Sequence, residues 1–250
     1  MDQTLLKQIE EAGLNAWPAV RQVVFDGWLL RFTGGYSKRV NSVNYLYPST
    51  LHLDEKIRYC EEVFNRLKLP MIFRLVDLMT EPGVVEALDI AGYRAFDPTL
   101  VLGCHLIAFD SLASTASYFK EASLDQWVDV RAELSGKPVA EWQIYKEIVS
   151  CIVPEKTLLV LYEGDQPVAC GMGVMERALL GYFSIYTAED FRRQGYSQQV
   201  MQALTQWGIK KGASFGYLQV EADNDPALAL YKKLGFEKCY SYEYYRLFDI

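Results

Sequence analysis

The strongest constraint on how this 250-residue chain folds is a strand, a short basic loop and a helix in direct succession. The apolar run Leu179–Thr187 has the length and composition of a buried strand. The segment after the loop places Val200, Leu204 and Trp207 on one face, which is the period of a helix. We therefore predict a strand–loop–helix unit whose helix ends at Gly212.

The loop of this unit has the chemistry of an anion site. The first N–H groups of a helix lack intrahelical partners and lie at the positive end of its dipole, so a phosphate placed there accepts several hydrogen bonds. Gly195 has no side chain and lets the backbone approach a pyrophosphate closely. Arg192 and Arg193 add positive charge at the edge of the site. These residues indicate a phosphate or pyrophosphate site.

A second strand–turn–helix unit follows about twenty residues later. The segment Leu218–Asn224 is typical of a strand that runs into a turn, and Asp225 and Pro226 then open a helix, with proline near its first position. This helix ends at Gly235-Phe236. The two units in this order resemble the GNAT acetyltransferase family. Its first motif, Arg/Gln-x-x-Gly-x-Gly/Ala, reads Arg192-x-x-Gly195-x-Ser197 here, with serine as a departure; the second motif matches at Asn224, Ala227, Leu230, Tyr231, Gly235 and Phe236.

The resemblance implies an N-acetyltransferase that moves an acetyl group from acetyl-coenzyme A directly to a primary amine. In the family a splayed β-bulge between two central strands pairs with the pantetheine arm, which here implicates the backbone of Ile185, Tyr186 and Thr187. It places Asn224 near the pantetheine and Tyr231 near the sulfur. The expected pyrophosphate site consists of Arg192, Arg193, Gln194, Gly195, Tyr196 and Ser197.

Tyr231 is the candidate catalytic residue, as general acid to the departing thiolate. A tyrosine has a pKa of ~10 and a thiol ~8.5, so full proton transfer is uphill by about 2 kcal/mol. We therefore expect Tyr231 to hydrogen-bond the developing charge, with transfer completed if the site lowers the pKa of the phenol. A structural tyrosine at a helix–sheet contact is the alternative for this position.

The sequence does not identify a general base. Glu176, Glu221 and Tyr186 lie near the right strands, but each also fits a surface or strand-end position. The two histidines, His52 and His105, both lie in the N-terminal half, which argues against a histidine-based triad. No cluster has metal-ligand spacing, so we expect no metal.

Composition narrows the partners and the compartment. A formal charge of −7 disfavours nucleic acid and weakly favours a cationic amine as the substrate. No apolar run approaches the ~20 residues that span a bilayer, so we expect no membrane segment. Five cysteines without CxxC spacing indicate free thiols, and hence the cytoplasm. The acceptor is expected to be a small-molecule or peptide amine; a free amino acid, a peptide N-terminus, a polyamine and an aminoglycoside all remain open.

The chain also contains a degenerate internal repeat. Ala87–Tyr93 aligns with Leu230–Phe236 at an offset of 143 residues, from Gly92 to Gly235, and a strand flanks each segment on both sides. Leu88 stands where the second copy has a tyrosine. Two unrelated strand–helix–strand units with the same stop are the alternative.

We therefore predict an α/β (α+β) protein of two GNAT-like domains, each a mixed, mostly antiparallel twisted sheet flanked by helices. Residues 1–112 would form a degenerate, non-catalytic domain and 118–250 the catalytic one, with a linker at Asp110–Ser117. In the first domain we predict strands at Val23–Phe32 and Val40–Tyr47.

The degenerate domain is expected to pack against the catalytic one as a built-in partner, in a monomer with pseudo-dimeric pairing; a homodimer is the alternative. The polar stretch Tyr36–Asn44 would then wall the amine site, although a solvated hairpin turn fits it equally well. The functional alternative is a non-catalytic acyl-coenzyme A binding or sensing module, or an adaptor, on the same scaffold.

Overall fold

A single mixed sheet organises the molecule. The structure is a computed structural model that describes residues 2–106 and 117–248, and eleven strands in these ranges form one sheet. In chain order they are β1 (Arg21–Phe25), β2 (Trp28–Phe32), β3 (Val43–Tyr45), β4 (Phe73–Val76), β5 (Arg94–His105), β6 (Ser117–Glu121), β7 (Glu155–Glu163), β8 (Gln166–Glu176), β9 (Leu179–Thr187), β10 (Phe215–Glu221) and β11 (Glu237–Arg246). Across the sheet the order is β1-β2-β3-β4-β11-β5-β10-β9-β8-β7-β6.

Helices cover both faces of this sheet. They are α1 (Gln3–Ala16), α2 (Leu53–Arg66), α3 (Val84–Ile90), α4 (Leu124–Ser135), α5 (Gln143–Ser150), α6 (Tyr196–Lys210) and α7 (Asp225–Lys233). One buried cluster joins α1, α4 and α5 to one face, which we call the α1 face. Two further clusters join α6 and α7, and α2 and α3, to the opposite α6 face. This mixed α/β architecture, with a large sheet between helices, agrees with the predicted fold class.

The two halves of the chain exchange a strand at the centre of the sheet. β5 pairs antiparallel with both β10 and β11, and β11 pairs antiparallel with both β5 and β4. On either side of this central pair the arrangement repeats, since β3 is parallel to β4 and β9 is parallel to β10. Thus β11, from the second half, lies next to β4 of the first half, and β5, from the first half, lies next to β10 of the second.

The offset of 143 residues predicted for the internal repeat also separates corresponding helices and strands of the two halves. Helices α2 and α6 begin at residues 53 and 196, and strands β5 and β11 begin at 94 and 237. Both pairs are separated by 143 positions, the offset between Gly92 and Gly235. Both glycines have positive φ, 90° and 82°, as expected where a helix ends and a strand begins.

A buried ion pair ties the centre of the α1 face together. Glu10 of α1 accepts from Arg74 of β4 (Nη2 to Oε2, 3.0 Å) and from the hydroxyl of Tyr240 of β11 at 2.8 Å. Burial alone would raise the pKa of Glu10, but the charge and hydrogen bonds of Arg74 and the hydrogen bond of Tyr240 outweigh it and hold the pKa below its usual value. The ion pair lies within the first half of the chain, and the hydrogen bond from Tyr240 links it to the second half.

The predicted strand Val23–Phe32 is wrong, because the chain turns back in its middle. Asp26 and Gly27 have φ of 41° and 83°, and Phe25 pairs with Trp28, so a two-residue turn closes the β1–β2 hairpin. An Asp-Gly pair between apolar residues is the usual signal for such a turn. The predicted strand Val40–Tyr47 is shortened for a related reason, since a 3-10 turn occupies 38–40 and leaves β3 with three residues.

The predicted division at residues 112 and 118 remains a prediction. The linker Asp110–Ser117 lies outside the described residues, apart from Ser117 at the start of β6. The sheet runs through both halves without interruption. None of the helices in the described ranges is long and apolar enough to span a bilayer, and no group of His, Cys, Asp or Glu in those ranges could hold a metal ion.

Candidate functional site

The basic loop leads into a helix whose start is open. Strand β9 has the predicted bounds, and α6 begins at Tyr196 with Gly195 as its N-cap and ends at Lys210, two residues before the predicted Gly212. Gly195 has φ of 87°, no side chain caps the helix, and a Cβ built on Gly195 would meet no atom within 4 Å. Glycine is thus required here by its backbone conformation, and the space in front of the helix N-terminus is free for an anion.

The loop side chains divide into exposed and internal groups. Arg192, Arg193 and Gln194 are exposed, and Arg192 Nη1 lies 3.9 Å from Glu189 Oε1. Tyr196 is buried and its hydroxyl donates to Glu163, a hydrogen bond that, with burial, raises the pKa of Tyr196 to about 12. Its side chain is therefore occupied inside the fold, so Tyr196 can offer an anion only its backbone N–H.

Serine in place of the usual small residue of the motif has a structural partner. Ser197 Oγ lies 2.8 Å from Thr187 Oγ1, so the first turn of α6 is tied to the end of β9. A glycine or alanine could not form this contact. Serine, in place of the glycine or alanine of the family motif, is thus accommodated by the fold at position 197.

Strands β9 and β10 separate beside this loop. Their parallel pairing runs from Leu179 with Phe215 to Tyr182 with Leu218, while β9 continues to Thr187 and β10 to Glu221. The register with β8 shifts near Ser184, which has φ of 53°, so β9 contains a bulge at this point. The predicted residues Ile185, Tyr186 and Thr187 all lie in the separated segment, and the β9–β10 ladder does not include them.

Helix α7 closes the other side of the split. Asn224 is its N-cap, and Asn224 Oδ1 accepts from the N–H of Ala227 at 3.3 Å. Lys233 Nζ donates to Gln198 Oε1 at 3.0 Å, which joins α7 to α6. The structure therefore brings the loop, the separated strands and the α7 start to one end of the sheet.

Tyr231 packs on the α6 face, half-buried, with its ring centroid 6.0 Å from that of Phe236. Burial raises the pKa of Tyr231. The sequence left open whether the site lowers this pKa to complete proton transfer. The fold moves it in the other direction, so the phenol is held in its protonated form.

Among the candidate bases, Glu176 is wrongly placed. It pairs with Leu179 at the far end of β9, where its carboxylate accepts from Asn15 Nδ2 at 3.0 and 3.1 Å. Glu221 is exposed at the end of β10. Tyr186 lies in the split, with its ring centroid 4.5 Å from the guanidinium carbon of Arg131. Of the three, Tyr186 alone packs, half-buried, against the core of the α1 face.

The α1 face holds a polar group that sequence reasoning missed. The hydroxyl of Tyr145 on α5 donates to Ser184 Oγ in the bulge at 2.9 Å and accepts from Trp127 Nε1 at 2.8 Å. Tyr36 lies beside it, with ring centroids 6.4 Å apart. The signal that could have revealed this group is Arg131, an arginine four residues after Trp127 among the buried residues of α4.

The predicted wall from Tyr36 to Asn44 is only partly beside this group. Tyr36 faces α5, whereas Asn41 accepts from Thr33 N at 2.7 Å and shapes its own loop. Asn44 is buried and donates to Ser42 O at 3.1 Å. Tyr36, at the start of this stretch, therefore lies near the bulge of β9, through Tyr145, whereas Asn44 at its end is part of the core.

Comparison with known proteins gives a consistent result. The family model described as "Probable histone acetyltransferase Rv0428c C-terminal" matches residues 4–245. The chain is 28% identical over 244 residues to the uncharacterized N-acetyltransferase YobR of Bacillus subtilis, which covers 96% of this chain and 97% of that protein.

Two solved structures share the fold. A GCN5-related N-acetyltransferase from Kribbella flavida superposes with a TM-score of 0.70 at 17% identity, over 98% of this chain and 96% of that one. A tandem GNAT protein from the clavulanic acid biosynthesis pathway superposes with a TM-score of 0.66 at 9% identity, over 82% and 74% of the two chains.

Proposed function

The chain belongs to the GNAT N-acetyltransferase family, and we propose that it transfers an acetyl group from acetyl-coenzyme A to a primary amine. The observation that carries the proposal is the split between β9 and β10, with the uncapped start of α6 at its mouth. A split of this kind offers unpaired backbone groups to an extended ligand, and the helix start offers N–H groups to its phosphates.

The residues present fit the cofactor. Acetyl-coenzyme A supplies the acetyl thioester. Residues 192–197 would hold its pyrophosphate, through the open N-terminus of α6 and the exposed side chains of Arg192 and Arg193. The backbone of Ile185, Tyr186 and Thr187 would pair with the pantetheine arm. Asn224 would contribute its Nδ2 group, since its Oδ1 already caps α7.

Tyr231 would act as a hydrogen-bond donor at the sulfur. Because burial raises its pKa, the hydroxyl keeps its proton over the pH range in which amines become neutral. A donor fixed near the atom where negative charge develops stabilises the transition state without reorganisation. We propose this role for Tyr231: its hydrogen bond stabilises the departing thiolate, while the raised pKa opposes full transfer of the phenol proton.

The amine would approach on the α1 face, opposite α6 and α7. We do not assign a base. An α-amine with a pKa of ~7.8 is roughly a tenth neutral at pH 7, so a substrate of this type would need none. We further propose that residues 1–112 bind no cofactor and instead wall the amine site through Tyr36. A cytoplasmic location is proposed because all five cysteines are free thiols.

Substitution of Tyr231 by Phe tests the proposal. Because the variant loses only the hydroxyl, we expect kcat to fall by about 10²–10⁴-fold while acetyl-coenzyme A binds as before. Thiol release with a panel of primary amines measures turnover, and calorimetry measures affinity. Tyr118→Phe, at an exposed position on β6, is the matched control.

Two outcomes would contradict the proposal in different ways. If the cofactor binds but no amine releases thiol, the chain is an acyl-coenzyme A sensor or adaptor. If turnover occurs and Tyr231→Phe leaves kcat unchanged, the transferase assignment stands and Tyr231 is a structural tyrosine.

A further inference from the structure

An arginine lies buried among aromatic rings on the α1 face. Arg131 of α4 is 9% exposed. Its guanidinium carbon is 4.9 Å from the ring centroid of Trp142 and 4.5 Å from that of Tyr186. Burial raises the pKa of Tyr36, against the opposing charge of Arg131, so Tyr36 also lies within the reach of this charge.

The charge of Arg131 has no anionic partner in the described parts of the chain. A guanidinium has five N–H groups. Here Nη1 donates to Cys170 Sγ at 3.6 Å, and sulfur is a weak acceptor. The Nε group is buried without a hydrogen-bond partner, as is Trp142 Nε1 of the neighbouring ring, and no carboxylate forms an ion pair with Arg131 within residues 2–106 and 117–248.

An unpaired buried charge is unfavourable, and proteins normally compensate one with an opposite charge. The other buried arginines of the α1 face show this difference. Arg74 has the carboxylate of Glu10, and Arg31 donates to the carbonyl oxygens of Leu14, Trp17 and Arg39. Arg131 has neither kind of acceptor, although a guanidinium matches the geometry of a carboxylate or phosphate. The cation–π contacts with Trp142 and Tyr186 hold the charge in place without neutralising it.

Arg131 lies beside the separated segment of β9, on the face from which we propose that the acceptor amine approaches. Tyr186, which it contacts, belongs to the separated segment of β9, and Ser184 of the bulge is held by Tyr145 of α5. These side chains lie on the α1 face, whereas α6 and α7 cover the other face. Tyr36 is 38% exposed and Tyr186 is half-buried, so the group has a side towards solvent.

We propose that Arg131 binds an anionic oxygen group of the acceptor, so that the substrate is an amine which also carries a carboxylate or a phosphate. This inference rests on the proposed acetyltransferase function. The net charge of −7 led us to expect a cationic amine, and the inference adds that this amine also carries an anionic group. The acidic protein would attract the ammonium group, and Arg131 would bind the anionic end. An aliphatic polyamine, which has no anionic group, is excluded.

Matched pairs of amines test the inference on the full-length chain. Glycine and glycinamide differ in the carboxylate, and phosphoethanolamine and ethanolamine differ in the phosphate. We expect kcat/KM to be at least about tenfold higher for the anionic member of one pair, which also identifies the anion. The ionisation of the amine cannot produce this result for the first pair, because a carboxylate makes the neighbouring amine more basic and less of it neutral.

Substitution of Arg131 assigns the preference to this residue. Arg131→Gln should reduce the ratio within the preferred pair to near one, through KM rather than kcat, while acetyl-coenzyme A affinity is unchanged. Arg131→Lys should keep part of the preference because it keeps the charge, and it replaces the glutamine variant if that variant fails to fold. Arg177→Gln, at an exposed arginine paired with Glu11 at the far end of β9, is the matched control.

The outcomes separate this inference from the proposed function. Equal rates within both pairs, or a preference that survives in Arg131→Gln, overturn the inference and leave the transferase intact. If no amine is acetylated, the pairs are compared as ligands by calorimetry, and equal binding overturns it as well. Absence of both acetyl-coenzyme A binding and thiol release is instead a failure of the proposed function, whatever the pairs show.

Discussion

The loops before α2 and α6 occupy equivalent places in the two halves of the chain, but their backbone N–H groups are used differently. Before α6, Gly195 adopts φ of 87° and no side chain caps the helix. Before α2, His52 has φ of −63° and likewise no side-chain cap, but the N–H groups of the two residues before it already donate to a carboxylate. Thr50 N donates to both carboxylate oxygens of Asp26 at 3.0 Å, and Leu51 N donates at 2.9 Å.

The carboxylate of Asp26 thus occupies, in the first half, the place that corresponds to the proposed anion site of the second half. The hydroxyl hydrogen bond of Thr50 is the main cause that lowers the pKa of Asp26 to about 2, and the N–H of Leu51 adds to it. Lys56 Nζ lies 3.5 Å from the same carboxylate. The first half thus keeps backbone N–H groups that bind an anion in the loop before its helix, and a carboxylate of its own β1–β2 turn occupies them. It supports the proposal that only the second half binds a cofactor.

The largest expected effect comes from separating the halves. A chain that begins at residue 117 lacks β4 and β5, so β11 loses both of its neighbours and β10 keeps only β9. We expect this fragment to lose cooperative thermal unfolding, measured by circular dichroism, and all acetylation. Co-expression with residues 1–106 is the control. A soluble fragment that works at full rate would show that the exchanged strand is dispensable.

The buried pair of Glu10 and Arg74 should have the next largest effect. Glu10→Ala leaves Arg74 charged and unpaired in the core, and we expect a loss of about 3–5 kcal/mol in the free energy of unfolding, measured with urea. Glu11→Ala, the exposed neighbour paired with Arg177, should cost about 1 kcal/mol or less. Equal losses in the two variants would mean that the buried pair stabilises the fold no more than an exposed one.

The same pair predicts a pH dependence. The folded pKa of Glu10 is below its ordinary value of 4.5, so its contribution is fully present above pH 4.5 and is lost as the pH falls through the folded pKa. The stability difference between the wild type and Glu10→Ala should therefore shrink on acidification. A difference that grows towards low pH would contradict the assigned charge state.

How much of this the sequence could predict depends on how local the cause is. Strand β9 and the start of α6 were predicted closely, because apolar length, helical period and a glycine with positive φ are local properties. The exchange of β5 and β11 was not, since the choice of a strand's neighbour depends on residues more than a hundred positions away. The sequence could not show that Arg131 is buried without a carboxylate partner, because its neighbours also come from distant parts of the chain.

The smallest effect should come from the internal carboxylate. Asp26→Asn keeps a residue that tolerates the turn conformation but removes the charge that Thr50, Leu51 and Lys56 share. We expect a loss of stability smaller than that of Glu10→Ala. Because the folded pKa of about 2 is below the ordinary 3.8, the loss should be present above pH 3.8 and vanish as the pH falls through about 2.

The counterpart hairpin provides the control for this substitution. Asp165 lies in the two-residue turn between β7 and β8, so Asp165→Asn changes the same residue type in the other half. It should leave stability nearly unchanged at every pH. Thermal unfolding of both variants between pH 2 and pH 7 makes the comparison, and equal losses would show that Asp26 has no special role.

The proposed function depends on one open anion site per chain, at the start of α6. Isothermal titration of the full-length protein with acetyl-coenzyme A tests it most directly. We predict one site per chain, with an affinity for acetyl-coenzyme A that falls about tenfold or more when Arg192 and Arg193 are both replaced by alanine. Two sites per chain, or one site whose affinity does not change in that variant, would contradict it.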